Sequence, residues 1–446
     1  MDLQELKKRL LDCIDKRSDE IAELGRRIYD NPETGYKEFK TANMVADKFR
    51  QLGVNFAQLE DIPGLKMTID TGREGPGLAV LGELDAIVCR EHPHSDRKTG
   101  AVHACGHNAQ IAAMIGTAMA ILDSEAADKL SGKIHFIAVP AEEYIEIAYR
   151  MELRKNKIIK YLGGKPELLY RGWFDDVDLC IKIHSGGKKK MSPGYKTQNG
   201  CIVKRIRYIG RAAHAGGSPH SGINALYAAN IGLMAINSIR ETFKESDYIR
   251  VHPIITKGGD VVNVIPSDVR IETYIRGKTI QAIEEANRKV DRALVGGAIA
   301  LGAQVEIEDI PGYFPCYNDT NLQRLARKVM VELSNEDEVE KIGEYHGTGS
   351  TDMGDLSTLM PVLEAMVGGV KGGHSQDYEI TDPHNLYIMG TKLLACLTAE
   401  LLYDDAAKAK EIVRNYVPLF KSKEEYFKYV DGLFRKRIYN EGDIFK

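Results

Sequence analysis

Three side chains that can bind a transition metal lie close together in segment 101–110, AVHACGHNAQ. They are His103, Cys105 and His107, which occupy alternate positions. In an extended or loop backbone, alternate residues face the same side, so Cys105 and His107 can bind one cation, as thiolate and imidazole do for zinc and similar metals. His103 can join them or face away. The alternative is a buried cysteine beside two hydrogen-bonded histidines, and the rest of the chain decides between the two interpretations.

Further acidic and imidazole side chains follow short apolar runs that are typical of β-strands. Asp85 follows GLAVLGEL, Glu142 and Glu143 follow KIHFIAVPA, and His184 ends LCIKIH. Because α/β sheets bind ligands outside the carboxyl ends of their strands, we expect these segments to meet at one crevice. A late imidazole, His374, lies in the glycine-rich GGHSQDY. Together with the thiolate and imidazoles of the first segment, these groups suffice for two divalent ions.

The segments that carry these residues alternate between strand and helix patterns. After an amphipathic N-terminal helix and a second helix ending at Gly53, the strand-like runs are LKMTID, GLAVLGEL, KIHFIAVP and LCIKIH, with a helix beginning near Gln110. This alternation predicts an α/β fold with a mixed, mostly parallel sheet. The acidic and imidazole groups would then lie at the ends of neighbouring strands.

Residues 197–310 have a different order of elements. Strand and helix patterns follow each other as β-α-β-β-α-β, from CIVKRIRYIG to QVEIEDI, which predicts an inserted ferredoxin-like α+β domain. We therefore expect two domains: residues 1–196 and 311–446 form the metal-binding catalytic domain, and residues 197–310 form the inserted domain. No internal repeat or low-complexity tract interrupts this organisation.

Composition limits the classes of partner. The 446 residues, 43% of them hydrophobic, are typical of a globular chain, and 60 basic against 64 acidic residues leave a formal charge of −4. This charge offers no electrostatic case for nucleic acid or an anionic membrane, so we expect a small-molecule partner. Seven scattered cysteines favour a reducing compartment, and neither a signal peptide nor a membrane-spanning run is recognisable. We expect a cytoplasmic protein.

Several motifs in a fixed order resemble one enzyme superfamily over essentially the whole chain. They are GELDAI, HACGHNAQ, PAEE, KIHSG, GRAAHAGGSPHSGINAL, GGDVVNVIPSDV with TYIRG, and GGHSQDY. The ordered set resembles the dinuclear-metal aminoacylase and carboxypeptidase superfamily, in particular its N-acyl-amino-acid amidohydrolases, which include hippurate, auxin-conjugate and aminobenzoyl-glutamate hydrolases. The resemblance implies hydrolysis of an amide bond between an acyl, aryl-acyl or aminoacyl group and an amino acid with a free carboxylate. It also implies two divalent ions, Zn, Mn, Co or Ni.

The resemblance also implies roles for the residues at the strand ends. The metal ligands fall on residues that offer thiolate, carboxylate and imidazole donors: Cys105, His107, Glu143, His184 and His374. Glu142 would be the general base, which takes a proton from the metal-held water and gives it to the leaving amine. Asp85 would support a metal ligand, although a turn or N-cap aspartate is equally common after a strand.

The inserted domain would act as a lid and supply the substrate end of the site. His214 resembles the histidine that stabilises the oxyanion in the site of a neighbouring subunit, which implies a homodimer through the lid. Asn263 and Arg276 resemble contacts to the substrate carboxylate, for which the fork of an arginine is well suited. The alternatives are a helix-capping histidine and a surface ion pair of Arg276.

Two departures from the family pattern bear on specificity. Asn108 stands where many relatives have aspartate after the CGH motif, and a long basic insertion, YIEIAYRMELRKNKIIKYLGGKPELLYRGWF, follows Glu143. The insertion could cover or narrow the acyl pocket. The alternative functions are a dipeptidase of the same superfamily, which needs a site for the substrate amino group, and a catalytically silent ligand-binding homologue, which would have lost a ligand or the base.

Overall fold

The computed structural model describes residues 1–440 and Gly442. Within this part, the chain divides into two compact units. Unit 1 comprises Met1–Lys196, Tyr317–Tyr345 and Asp355–Leu419. Unit 2 comprises Thr197–Cys316, His346–Gly354 and the described part of Phe420–Lys446.

The α-helices are spread over the chain and most of them belong to unit 1. Their bounds are α1 (Leu3–Lys16), α2 (Ser18–Tyr29), α3 (Phe39–Gln51), α4 (His107–Asp123), α5 (Ile147–Lys155), α6 (Gly164–Tyr170), α7 (Ala225–Ser238), α8 (Ile280–Ile299), α9 (Thr320–Leu333), α10 (Met353–Leu356), α11 (Gly390–Leu402), α12 (Ala407–Asn415) and α13 (Lys423–Asp431). A π-helical turn, His384–Met389, precedes α11.

The β-strands range from two to ten residues. Their bounds are β1 (Phe56–Gln58), β2 (Leu65–Asp70), β3 (Gly77–Glu83), β4 (Ile87–Val88), β5 (Ala101–Val102), β6 (Lys133–Val139), β7 (Leu179–Ser185), β8 (Met191–Ser192), β9 (Thr197–Gln198), β10 (Gly200–Ile209), β11 (Arg250–Val251), β12 (Ile254–Lys257), β13 (Asp268–Gly277), β14 (Gln304–Pro311), β15 (Cys316–Tyr317), β16 (His346–Gly347), β17 (Val362–Val367), β18 (Val370–Lys371), β19 (Glu379–Ile380) and β20 (Arg435–Tyr439).

Unit 1 is built around a sheet in the order β1-β2-β6-β3-β7-β17-β8. The central strands β6, β3, β7 and β17 run parallel, and the outer strands β1, β2 and β8 pair antiparallel. Every residue of β3 is buried, which explains its unbroken apolar sequence, since a parallel strand is covered on both faces. The prediction of a mixed, mostly parallel α/β sheet is confirmed.

Helix α4 is the central helix of unit 1. Residues His107 to Ile121 are all buried, and the helix packs against α1, α2, α11 and β3. A helix that is apolar all round has no solvent face, so its position is fixed from every side. The helix begins at His107, whereas the sequence pattern placed its start near Gln110, because the imidazole and two amides of its first turn do not look like core residues.

Unit 2 contains the β-α-β-β-α-β order that the sequence predicts. Its sheet has the order β11-β13-β10-β14-β20, with β12 also paired to β13, and the pairings are antiparallel. Helices α7 and α8 pack on each other and on β10 and β13. The predicted strand IRVHPIIT forms two short strands, β11 and β12, because His252 and Pro253 separate them.

Three segments belong to unit 2 although the sequence analysis placed them with the metal-binding domain: residues 311–316, residues 346–354 and the described residues from 420 onward. Residues 346–354 join unit 2 because β16 pairs with β9, and residues 420–440 join it because β20 pairs with β14. The tail of the chain has an amphipathic pattern, which predicts that one face of the segment is buried. The pattern does not tell which sheet that face packs against, so the sequence could not assign the tail to unit 2.

Buried charge ties β20 to the rest of unit 2. The fully buried ammonium of Lys204 lies 2.6 Å from Asp291 and also contacts Asp309. The guanidinium of Arg437, in β20, contacts the same two carboxylates. Two cations and two carboxylates thus balance each other, which a buried ionic group requires.

Among the described residues, no helix is both long enough and apolar enough to cross a membrane.

Replacement of Lys204 tests this cluster. Lys204→Met should lower the free energy of unfolding by about 3 kcal/mol or more, because removing one partner leaves a carboxylate without full compensation. Urea denaturation would measure the loss. The matched control is Lys436→Met, since Lys436 pairs with Glu306 from an exposed position of β20. Equal unfolding midpoints of the two variants would contradict the assigned role of Lys204.

Candidate metal centre

Strand ends and one helix start position the predicted metal ligands in unit 1. His184 lies near the end of β7, Glu143 follows β6, and Asp85 follows β3. His107 is the first residue of α4. His374 lies in the loop between β18 and β19, and its amide nitrogen donates to the carbonyl of Ala104, 2.9 Å away, which fastens this late loop to the Cys-Gly-His segment.

Gly106 explains how Cys105 and His107 come together. Its φ is +87°, and a Cβ atom there would lie 2.3 Å from Oγ of Ser185, so only glycine fits. The hydroxyl of Ser185 donates to the carbonyl of Cys105 at 2.7 Å. The two ligands therefore converge because a left-handed residue turns the chain into α4, and not because they alternate along an extended backbone, as the sequence suggested.

The predicted ligands form two groups of donor atoms that share one cysteine. Sγ of Cys105 lies 3.3 Å from Nε2 of His184, and His107 completes the first group. Cys105, Glu143 and His374 form the second group, in which Nε2 of His374 is 2.9 Å from Oε1 of Glu143. Within each group the donor atoms lie within 4.8 Å of one another. This set of thiolate, imidazole and carboxylate donors would hold divalent transition-metal ions, and Cys105 belongs to both groups.

Hydrogen bonds orient the imidazoles for ligation. Nδ1 of His107 donates to the carbonyl of Asp85 at 2.9 Å, and Nδ1 of His184 donates to the carbonyl of Ser185 at 2.9 Å. Each ring therefore directs Nε2 into the donor group, which is how metal-binding histidines are held in proteins. The buried Nε2 of His107 makes no hydrogen bond that meets the usual geometry with any described residue, and Oε2 of Glu83 lies 3.2 Å from it.

Asp85 contacts both halves of the site. Its Oδ1 lies 3.2 Å from Nδ1 of His107, and its Oδ2 accepts a hydrogen bond of 2.8 Å from the amide of Glu143. The side chain is fully buried. This geometry supports the proposal that Asp85 holds a metal ligand in place. It differs from a helix N-cap, because the carboxylate contacts the ring of His107 and the amide of Glu143.

Glu142 and Glu143 separate at a turn after β6. Ala141 adopts a φ of +55°, which is uncommon for a residue with a side chain. After this turn, Glu143 reaches Cys105 and His374, whereas Oε2 of Glu142 lies 3.9 Å from Nε2 of His107. The two neighbouring carboxylates thus contact different donor atoms, which is compatible with the predicted roles of Glu142 as base and Glu143 as ligand.

The opposite charges of the site shift several pKa values. Burial and the carboxylate of Glu143 oppose ionisation of Cys105, but His184 and His107 outweigh them and lower its pKa to about 6. Contact with Glu143 raises the pKa of His374 to about 11. Burial opposes the charge on His107 and His184, yet Cys105 and the nearby carboxylates raise the pKa of both rings. Without metal, the neighbouring charges therefore favour the thiolate form of Cys105 and the protonated form of His374.

A buried carboxylate that the sequence analysis missed lies beside this site. Oε1 of Glu83 is 2.5 Å from Nζ of Lys165 and also contacts Nζ of Lys182, while Oε2 accepts from Gln110 at 2.8 Å and lies 3.2 Å from Nε2 of His107. These side chains are buried to at least 99%. Lys182 could have been noticed in the sequence, because a lysine in the apolar strand LCIKIH requires a buried partner.

Lys182 also contacts a second carboxylate of the sheet. Its Nζ lies 2.9 Å from Oε2 of Glu364, which is in β17, the neighbour of β7. Burial opposes the charge on Lys182, but Glu364 and Glu83 outweigh it and hold the pKa of Lys182 well above its ordinary value. The ammonium group of Lys182 therefore balances negative charge of Glu364 and Glu83 in the sheet beside the candidate site.

His103 and Asn108 do not join the donor groups. Both ring nitrogens of His103 are buried without a partner among the described residues, and burial together with nearby His107 lowers its pKa to about 3, so the ring is neutral. Asn108 donates to the carbonyl of Gly25 at 3.1 Å and to the hydroxyl of Tyr387 at 2.9 Å. The amide that replaces the usual aspartate is thus engaged in packing α4.

The predicted substrate-binding residues lie in unit 2. Nδ1 of the exposed His214 accepts hydrogen bonds from the amides of Gly216 and Gly217, so its proton sits on Nε2, which is free to donate. The exposed Asn263 lies beside this loop, because its backbone carbonyl accepts a hydrogen bond of 2.9 Å from the amide of Ala215. The half-buried Arg276 forms no ion pair with any described residue, so the surface ion-pair alternative does not apply to it.

Comparisons with known proteins identify the family that the sequence matches. The family model of peptidase family M20/M25/M40 matches residues 79–400 of this chain. Human Xaa-Arg dipeptidase is 26% identical over 84% of this chain and 83% of its own length. Indole-3-acetyl-aspartic acid hydrolase of Enterobacter agglomerans is 28% identical over 65% of this chain and 73% of its own length.

A solved structure shows the same fold. The dinuclear metal binding peptidase from Bacillus subtilis has a TM-score of 0.63 and 19% sequence identity, and the match covers 86% of this chain and 98% of that one.

Metal binding to the metal-free protein should release protons. The pKa of His374 is raised to about 11, so this ring is protonated near pH 7 and must lose a proton to bind a metal ion. The pKa values of His107 and His184 are raised as well, so the need for proton loss from these rings also opposes metal binding at low pH. We expect the affinity for Zn²⁺ to rise between about pH 6 and pH 8, with release of more than one proton per chain. Isothermal titration calorimetry in two buffers of different ionisation enthalpy would count the protons.

His374→Ala should reduce this proton release, and the control His220→Ala, at an exposed position of unit 2, should not. An affinity that is independent of pH in this range would contradict the ligand assignment.

Proposed function

The chain belongs to peptidase family M20/M25/M40 and is a hydrolytic enzyme, and on this premise we propose that it cleaves the amide bond of an N-acyl, aryl-acyl or aminoacyl amino acid with a free carboxylate. The observation that carries the proposal is the pair of donor groups that share Cys105, with Glu142 beside them. A silent homologue would lack a ligand or the base, and all of them are present.

The proposed metal set consists of residues whose donor atoms converge in unit 1: Cys105, His107, Glu143, His184 and His374. Divalent ions held there, Zn, Mn, Co or Ni, would supply Lewis-acid activation of the amide carbonyl and of water. Glu142 would take a proton from the attacking water and deliver it to the leaving nitrogen. Asp85 keeps His107 and the backbone of Glu143 in place during this exchange.

The substrate contacts that we propose come from unit 2. Nε2–H of His214 is available to stabilise the oxyanion, because its other ring nitrogen is saturated by two amides. Nε of Arg276 is buried without a hydrogen-bond partner among the described residues, which suits a guanidinium reserved for the substrate carboxylate. Asn263 offers an exposed amide for the same end of the substrate.

Exposed apolar residues of unit 2 support a homodimer through this unit. Tyr227 and Met234 lie seven residues apart on one face of α7, with 63% and 61% of their surfaces exposed. Ile254 and Ile255 of the outer strand β12 are 62% and 44% exposed. An outer strand with free backbone groups and a neighbouring apolar helix face suits a second copy of the chain.

Substitution of the two adjacent glutamates tests the mechanism. The protein should first be loaded with metal and assayed with N-acyl amino acids, aminobenzoyl-glutamate and dipeptides, to find its best substrate. Glu142→Gln should then lower kcat by about 100-fold or more without loss of metal, because only proton transfer is impaired. Glu143→Gln should lose metal, measured by elemental analysis. An exchange of these two phenotypes would reverse the assignments, and a normal kcat of Glu142→Gln would refute the mechanism.

Subunit mixing tests whether His214 acts in the site of a partner. If it does, mixed dimers of His214→Ala and Glu142→Gln chains contain one site with both residues intact and one site lacking both. Activity should then exceed that of either parent, as measured after subunit exchange that is verified by mass spectrometry. Activity that never exceeds the sum of the parents would show that each chain completes its own site.

A further inference from the structure

Arg150, in α5 of the insertion after Glu143, is a fully buried arginine that contacts the turn carrying both glutamates. Its Nη1 donates to the carbonyl of Ala141 at 3.2 Å and to that of Leu162 at 2.8 Å, and its Nη2 donates to the carbonyl of Glu143. The guanidinium carbon also lies 5.5 Å from the ring centre of Tyr36. One planar fork therefore holds the backbone on both sides of Glu142.

The backbone amide of Ala141, in the same turn, is bound by another buried residue. Oε1 of Glu38 accepts a hydrogen bond of 2.7 Å from the amide of Ala141, and the carboxyl group is fully buried. Ala141 thus has both its N–H and its C=O fixed by side chains, while its φ of +55° is one that alanine rarely adopts. Such a conformation persists only where surrounding groups enforce it.

The packing around the turn leaves little freedom for it to move. A Cβ atom at Gly35 would lie 2.2 Å from Nη2 of Arg150 and 2.9 Å from Cα of Ala141. A Cβ atom at Gly164 would lie 1.6 Å from the carbonyl oxygen of Pro140. Backbone from two other segments therefore approaches the turn closely.

We infer that Arg150 and Glu38 are positioning residues, which clamp the turn at Ala141 so that Glu142 and Glu143 point to different parts of the metal centre. The inference rests on the proposed function, since it assigns the two glutamates their roles as base and ligand. It also gives the insertion after Glu143 a task that its sequence did not suggest, because α5 supports the catalytic turn from within unit 1.

The first test replaces the guanidinium group of Arg150 with an ammonium group, so the positive charge is kept and the paired hydrogen bonds are lost. Arg150→Lys should weaken binding of Co²⁺ to the metal-free protein by about 10-fold or more, as loss of a supporting contact to a metal ligand does, and should shift the visible spectrum of the bound Co²⁺ without any substrate present. With the best substrate, kcat should fall by about 10-fold or more while KM changes by less than about three-fold.

The matched control makes the same replacement elsewhere in the insertion. Arg171 forms an ion pair of 2.8 Å with Asp61 and bonds to the carbonyl of Ile158. Arg171→Lys should keep the Co²⁺ affinity, the Co²⁺ spectrum and kcat of the natural protein, even if it unfolds at a lower temperature. A general loss of stability would therefore not reproduce the effects expected for Arg150→Lys.

A second pair of variants serves if Arg150→Lys does not fold. Glu38→Gln keeps an oxygen for the amide of Ala141 and should retain the Co²⁺ spectrum and kcat, whereas Glu38→Ala should change both. If Glu38→Ala matches the natural protein in Co²⁺ affinity and spectrum, and Arg150→Lys either does the same or does not fold, the inference is wrong.

The Co²⁺ readout separates this inference from the proposed function. Altered Co²⁺ binding in a protein that hydrolyses none of the assayed substrates would support the clamp and refute the substrate class. An active natural enzyme whose Arg150→Lys variant is unchanged in Co²⁺ binding and kcat would support the function and refute the clamp.

Discussion

A single buried carboxylate, that of Glu83, joins the elements that carry the candidate metal centre. It ends β3 and contacts Lys165 of α6, Lys182 of β7, and Gln110 and His107 of α4. Burial opposes its ionisation, but the two lysines hold the pKa of Glu83 well below its ordinary value. An unpaired charge at such a depth is very unfavourable, so β3, β7, α4 and α6 must pack in the one arrangement that neutralises it.

Left-handed backbone conformations at two residues then orient the donor side chains that these elements carry. Gly106 turns the chain between Cys105 and His107, and Ala141 turns it before Glu142. Gly106 adopts its conformation without strain because it lacks a side chain, whereas Ala141 needs neighbouring side chains to hold it. The metal centre thus depends on backbone conformations that are uncommon elsewhere, and rigid surroundings are what make them possible.

Much of the architecture was accessible from the sequence because it follows from local pattern. The runs LKMTID and DVRIETYIRG coincide with β2 and β13, and the β-α-β-β-α-β order of unit 2 is as predicted. The start of α4 was placed too late, since buried polar residues in its first turn obscure the helical pattern. Residues 346–354 and 420–440 were predicted to belong to the other domain, because strand pairing over long sequence distances leaves no local pattern in the sequence.

The sequence by itself determined the chemistry available at the site, since the thiolate, imidazole and carboxylate groups after apolar strands suffice for two divalent ions. Only the tertiary structure decided which groups meet. It brought Cys105 into both donor groups, kept His103 out of them, and showed that Lys165 and Arg150 of the insertion reach buried groups beside the site. The reason is physical: residue type fixes what a side chain can bind, whereas charge compensation and close packing among distant segments fix where it lies.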